Sequence, residues 1–100
     1  MLTKITENGG TITATFEGRL DTAAAVKTGM EIQPLMDNAD KEIILDCKAM
    51  EYISSSGLRL FLALRKEAAE KGGKVVIEHV RPEIRQVFNM TGFFNLFEIR

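Results

Sequence analysis

The sequence predicts an α/β fold: a single domain over residues 1–100, with helices packed on a mixed, mostly parallel sheet of four to five strands. Three observations lead there. Short apolar runs alternate with segments of helical period, giving the order β-β-α-β-α-β-α-β. A strong turn signal, Asn8-Gly9-Gly10, sits near the start and joins two strands as a hairpin. The chain has 100 residues, 45% of them apolar and 27% charged, which suits one ordinary globular core.

The elements follow in order. Lys4 to Glu7 forms the first strand of the hairpin. Thr11 to Glu17 forms the second, with Ile12, Ala14 and Phe16 on one side and Thr11, Thr13, Thr15 and Glu17 on the other. Gly18-Arg19-Leu20-Asp21 closes it. Asp21 or Thr22 caps a helix that begins at Ala23 and reaches about Asn38, with a kink or an end at Pro34. Ile43-Ile44-Leu45 is a continuous apolar run, the pattern of a strand covered on both faces. Asp46 to Tyr52 is expected to be a connection.

From Ser56 to Lys71 the period is helical, with Leu58, Phe61, Leu62, Ala68 and Ala69 on the apolar face. Arg59, Lys66, Glu67 and Glu70 lie away from it, a mixed charge pattern that marks a solvated face. Gly72-Gly73 ends this helix, and Val75-Val76-Ile77 is the next central strand. Pro82 opens a short helix with Ile84, Val87 and Phe88 on one stripe; Gly92 ends it, and Leu96 to Ile99 is the last strand. Right-handed crossovers between parallel strands are expected throughout.

Composition excludes several function classes. A net charge of −1 sets up no general attraction for nucleic acid or anionic lipid. No run approaches the ~20 apolar residues of a bilayer span, so no direct membrane insertion is expected, and the N-terminus has no signal-peptide core. The single Cys47 forms no internal disulfide, which suits the cytoplasm. Cys47 is expected to pack in the core, and Met30, Met36, Met50 and Met90 to fill core gaps.

No enzyme signature stands out. A serine hydrolase needs a base beside its nucleophile, and the only histidine, His79, follows a predicted strand and reads as a surface residue. The pattern G-x-S-x-G is absent, because Tyr52, Ile53 and Ser54 precede Ser55. One cysteine and one histidine far apart make no metal cluster, and Gly72-Gly73 precedes a strand, the wrong context for a phosphate loop. No catalytic residue, metal or cofactor is expected.

The most informative stretch is Ile53-Ser54-Ser55-Ser56-Gly57-Leu58, where a strand hands over to a long helix. A helix start carries unpaired N–H groups and the positive end of the macrodipole. A serine there can cap the helix, touch a partner or carry a phosphate, and Ser54 and Ser55 are both candidate caps. Asp21 is likewise open between helix cap and partner contact.

The whole chain resembles the STAS domain family, and within it the bacterial anti-sigma factor antagonists. Gly18-Arg19-Leu20-Asp21 is similar to the family's G-x-L-D segment. Asp46 followed by Tyr52-Ile53-Ser54-Ser55-Ser56-Gly57-Leu58 is similar to its strand, loop and serine motif, and Phe88 to Phe97 to its closing segment. In the family the regulatory phosphate goes on the serine two places before the motif's glycine, which here is Ser55. The motif usually reads D-S-S-G; Ser54 holds the aspartate's place, and Ser54 and Ser56 are further candidate acceptors. The resemblance implies a protein that docks on an anti-sigma factor with serine kinase activity and so frees a sigma factor. Phosphorylation would end the docking, and a phosphatase would reset it. Asp21, Ser54, Ser55, Ser56, Gly57, Leu58 and Arg59 would form the partner surface. An alternative for the same fold is an accessory subunit of a lipid or anion transporter, with the helix after Gly57 as a permanent contact.

Overall fold

A computed structural model describes residues Met1–Arg100. The elements are β1 (Leu2–Asn8), β2 (Thr11–Leu20), α1 (Thr22–Glu31), α2 (Gln33–Asp37), β3 (Glu42–Ile53), α3 (Ser55–Lys71), β4 (Lys74–Glu78), α4 (Pro82–Thr91), α5 (Phe93–Leu96) and β5 (Glu98–Ile99). They build one five-stranded sheet in the order β1-β2-β3-β4-β5. β1 runs antiparallel to β2; every other pair is parallel. The hairpin loop is Gly9-Gly10, with Gly9 at φ 63°, a value that a tight two-residue turn needs and glycine supplies without strain.

Three expectations are corrected. The first is the connection at Asp46 to Tyr52, which is strand. β3 continues to Ile53 beside β2, with register shifts between Thr15 and Glu17 and between Gly18 and Arg19. At each shift β3 carries one residue more than β2, so its buried positions after Cys47 fall at Met50 and Ile53, three apart instead of two. Alternation is lost, and with it the strand signal. The break expected at Pro34 is present: Pro34 lacks an N–H and crowds the preceding turn, and the helix divides at Ile32 into α1 and α2. The second correction concerns the last strand. Leu96 lies in the one-turn helix α5, and β5 shrinks to Glu98–Ile99. The stacked rings of Phe88 and Phe93 and the tilted pair of Phe93 and Phe97, each 5.1 Å between centroids, hold that turn against α4.

The third is the covering of the sheet. The chain steps in one direction through β2, β3, β4 and β5, so right-handed crossovers bring every helix to one face. The core lies there: Ile12, Ala14, Phe16, Ile43, Leu45, Cys47 and Ile77 from the sheet meet Leu58, Phe61, Leu64 and Phe88 from the helices. Phe16 and Phe61 touch at 5.7 Å between ring centroids. Truncating a buried phenylalanine costs ~3–5 kcal/mol, so this contact anchors α3 on β2.

The opposite face carries no helix. Ile44 is half-buried there, and Val76, fully buried, lies outside the core cluster. Arg100 reaches Glu42 at 3.9 Å and Glu78 at 3.7 Å, linking the end of β5 to β3 and β4. Glu98 pairs with both Lys74 and Arg100, and those hydrogen bonds hold its carboxyl below the usual range. No helix of the chain is long and apolar enough to cross a membrane.

Side-chain placement corrects some smaller expectations. On α3 the apolar line runs through Gly57, Leu58, Phe61, Leu64 and Ala68, while Leu62 is 37% exposed and Ala69 is exposed. Met50 is buried and Met36 packs against the core. Met30 and Met90 fill no core gap: they are 69% and 87% exposed, because the buried lines of α1 and α4 run through Ala25–Thr28 and Ile84–Phe88.

Candidate functional site

β2 and β3 are adjacent and parallel, and they end level with one another, Leu20 opposite Ile53. A helix starts immediately after each. Two helix N-termini therefore stand side by side at the carboxyl ends of neighbouring strands, the usual place for a site in an open α/β sheet. The junction is tied by the Ser54 N–H, which donates to the Leu20 carbonyl at 2.8 Å.

Each helix start has its own cap. The Asp21 carboxylate accepts from the Ala24 N–H at 2.8 Å, and its negative charge suits the start of α1. The Ser54 hydroxyl accepts from the Gly57 N–H at 3.2 Å, with Ser54 in extended backbone at φ −87°, ψ 170°. Ser54 is only 7% exposed. Of the two candidate caps, Ser54 takes the role, and Ser55 begins the helix proper with its side chain exposed. Ser56 is half-buried.

The residues expected at the site thus divide by depth. Ser54, Gly57 and Leu58 are buried and shape the site from beneath. A Cβ at Gly57 would stand 2.8 Å from Leu20 Cγ and 2.9 Å from Ile53 Cγ1, so only glycine lets α3 settle this close to the strand ends. Asp21 is half-buried, and Ser55 and Arg59 are exposed. Arg59 follows Ser55 by one helical turn.

Four neighbouring residues were not assigned to the site by the sequence reading. The Arg19 guanidinium lies 4.4 Å from the Tyr52 ring centre, where β2 and β3 end. Val26 stands one turn before Gly29, the α1 residue that meets Leu60 of α3, and Met30 one turn after Val26; each is 69% exposed. An apolar pair at i, i+4 on the solvent side of α1 is a signal available in the sequence.

Other potentially reactive groups lie elsewhere. Cys47 is buried, and desolvation, followed by the nearby Asp46 charge, pushes its thiol up to about 12. It is not a thiolate nucleophile near neutral pH. His79 is exposed; its Nδ1 lies 3.1 Å from Asp46 Oδ1, which also accepts from the Lys48 N–H. No three His, Cys, Asp or Glu side chains gather as metal ligands. The larger cleft, about 420 Å³ between α2 and α3, is open and lined by mixed charges including Asp37, Lys66, Glu67 and Lys71.

Three comparisons bear on this arrangement. The family model of the STAS domain matches residues 3–100. BtrV of Bordetella bronchiseptica, named as an anti-sigma factor antagonist, is 30% identical over 90 residues, spanning 90% of this chain and 78% of its own. Two solved structures share the fold. One, named as an anti-sigma factor antagonist of Thermotoga maritima, has a TM-score of 0.88 at 16% identity, covering 97% of this chain and 84% of the other. The second, the Bacillus cell fate determinant SpoIIAA in its phosphorylated form, has a TM-score of 0.75 at 20% identity, covering 99% and 91%.

Proposed function

This chain belongs to the STAS domain family, and we propose that it is an anti-sigma factor antagonist switched by phosphorylation of Ser55. The unmodified protein binds, in the cytoplasm, an anti-sigma factor that is also a serine kinase, and a sigma factor is released. The kinase then transfers the γ-phosphoryl group of ATP: Ser55 Oγ bonds to phosphorus, the bond to ADP breaks, and the hydroxyl proton passes to the kinase's base. A phosphatase hydrolyses the ester and restores the hydroxyl. The protein itself is a binding module and not an enzyme.

One observation carries this reading: of two adjacent serines, the buried Ser54 is occupied in capping, which leaves Ser55 exposed and uncommitted on the first residue of α3. Relatives named for the same role support it, as does the phosphorylated form of SpoIIAA. The docking surface comprises Asp21, Ser55, Ser56 and Arg59 over the buried Ser54, Gly57 and Leu58, with Val26 and Met30 adding apolar area on α1.

The physics is a local change of charge. A phosphate adds about −1.5 to −2 charge at neutral pH. The start of a helix tolerates it, so the domain keeps its fold. The cost falls on the complex, where the charge must be desolvated against a surface shaped for a neutral hydroxyl. A loss of ~3 kcal/mol weakens binding more than a hundredfold. The test is intact mass and site mapping after incubation with ATP and a candidate anti-sigma factor kinase, with binding measured in parallel. One phosphate on Ser55, retained binding by Ser55→Ala and a loss above about a hundredfold for Ser55→Asp are expected. Equal binding by Ser55→Asp and the parent overturns the mechanism.

A further inference from the structure

Arg59 lies on the exposed side of α3 and forms no ion pair. The helix explains why. Positions three and four residues away are its neighbours on the surface, and these are Ser55 and Ser56 on one side and Leu62 and Ala63 on the other. No carboxylate of α3 stands within a turn of it. The next charged residues of the helix, Arg65, Lys66, Glu67, Glu70 and Lys71, are further on, and Lys71 already pairs with Glu67. The polar side chains one turn from the guanidinium on α3 are therefore two serine hydroxyls, one of them the proposed phosphate acceptor.

We propose that Arg59 is the intramolecular receptor of the phosphate on Ser55, a deepening that rests on the phosphorylation reading above. The spacing is i, i+4 with the anion on the N-terminal side, the favourable orientation on a helix. A guanidinium fork matches two phosphate oxygens at once, which an ammonium group does not. Phosphorylation then acts twice at the docking surface. It adds an anion where a hydroxyl stood, and it withdraws a cation that the unmodified surface holds free for a partner carboxylate. Repulsion alone gives Arg59 no part in the switch.

The experiment uses the full chain with phosphoserine placed at position 55 during synthesis, so it needs no kinase. Three forms are compared: the parent, Arg59→Gln and Arg59→Lys, the two variants changed only at an exposed position. The phosphorus resonance is followed against pH at low salt, together with the Arg59 Nε–H resonance in the parent. The N–H groups at the start of α3 act on the phosphate equally in all three, so the difference among them isolates residue 59. The phosphate's second pKa is expected about half a pH unit lower in the parent than in Arg59→Gln, with Arg59→Lys between them. The Arg59 Nε–H resonance is expected to move with the same midpoint, and the difference to shrink at 1 M salt. Identical midpoints in the parent and Arg59→Gln, or an Nε–H resonance indifferent to the phosphate's titration, overturns the proposal. A chain that the kinase never phosphorylates, but whose installed phosphate still senses Arg59, overturns the phosphorylation reading and leaves this contact standing.

Discussion

Ser54 and Ser55 are neighbours of one residue type with different jobs, and a single pair of backbone angles separates them. Ser54 is in extended backbone, so its Oγ reaches the Gly57 N–H; Ser55 is already helical and exposed. Removing the cap leaves a buried N–H unpaired. Ser54→Ala is therefore expected to destabilise the protein by ~1 kcal/mol, and Ser55→Ala by less than about 0.5 kcal/mol, in urea unfolding followed by circular dichroism. Equal losses would mean that the two hydroxyls share the cap. The sequence places three hydroxyls at a helix start but leaves the cap open between Ser54 and Ser55. Both have the right chemistry, and the choice depends on where the Ser54 N–H finds the Leu20 carbonyl, a contact from another strand.

At the level of elements, two glycines in a row end α3 for different reasons. Gly72 takes the left-handed conformation at φ 83° with open space around its missing Cβ. A Cβ on Gly73 would instead run into the backbone carbonyls of Ala39 and Lys41, where the loop before β3 passes under the start of β4. Gly72→Ala is expected to cost ~1 kcal/mol of stability, as strain in the left-handed region. Gly73→Ala is expected to cost more than about 3 kcal/mol, because backbone has to move; thermal unfolding of the two variants decides the order. The helix stop is legible from the Gly72-Gly73 pair alone. Which glycine is indispensable is not, since Ala39 and Lys41 lie more than 30 residues earlier. β3 shows the same limit: its two extra residues opposite β2 turn a two-residue spacing into three at Cys47, Met50 and Ile53, and a local reading takes that for a connection.

For the molecule as a whole, one sheet with all its helices on one face means one core, and Cys47 titrates with that core. Its thiol is neutral in the folded state up to about pH 12, while in the unfolded chain it ionises near pH 9. The native state thus holds the proton more tightly. The resulting stability is fully present below about pH 9 and is lost as pH rises toward 12, by up to about 4 kcal/mol. Cys47→Ala, though less stable at neutral pH, is expected to lack this part of the alkaline decline; parallel slopes for the two proteins between pH 9 and 11 would contradict it. The alternation of strands and helices, the hairpin, the helix-capping candidates, the buried side of most elements and the serine motif are legible in the sequence. All of these are written in spacings of a few residues, over which periodicity and turn chemistry act. The tertiary arrangement is needed to see that Ile44 and Val76 face away from the helices, that Met30 and Met90 stay outside, that Ser54 is the buried cap, and that Arg59 forms no ion pair. Each of these depends on which distant segments arrive beside a residue, and that is set by the direction and register in which the strands are laid down.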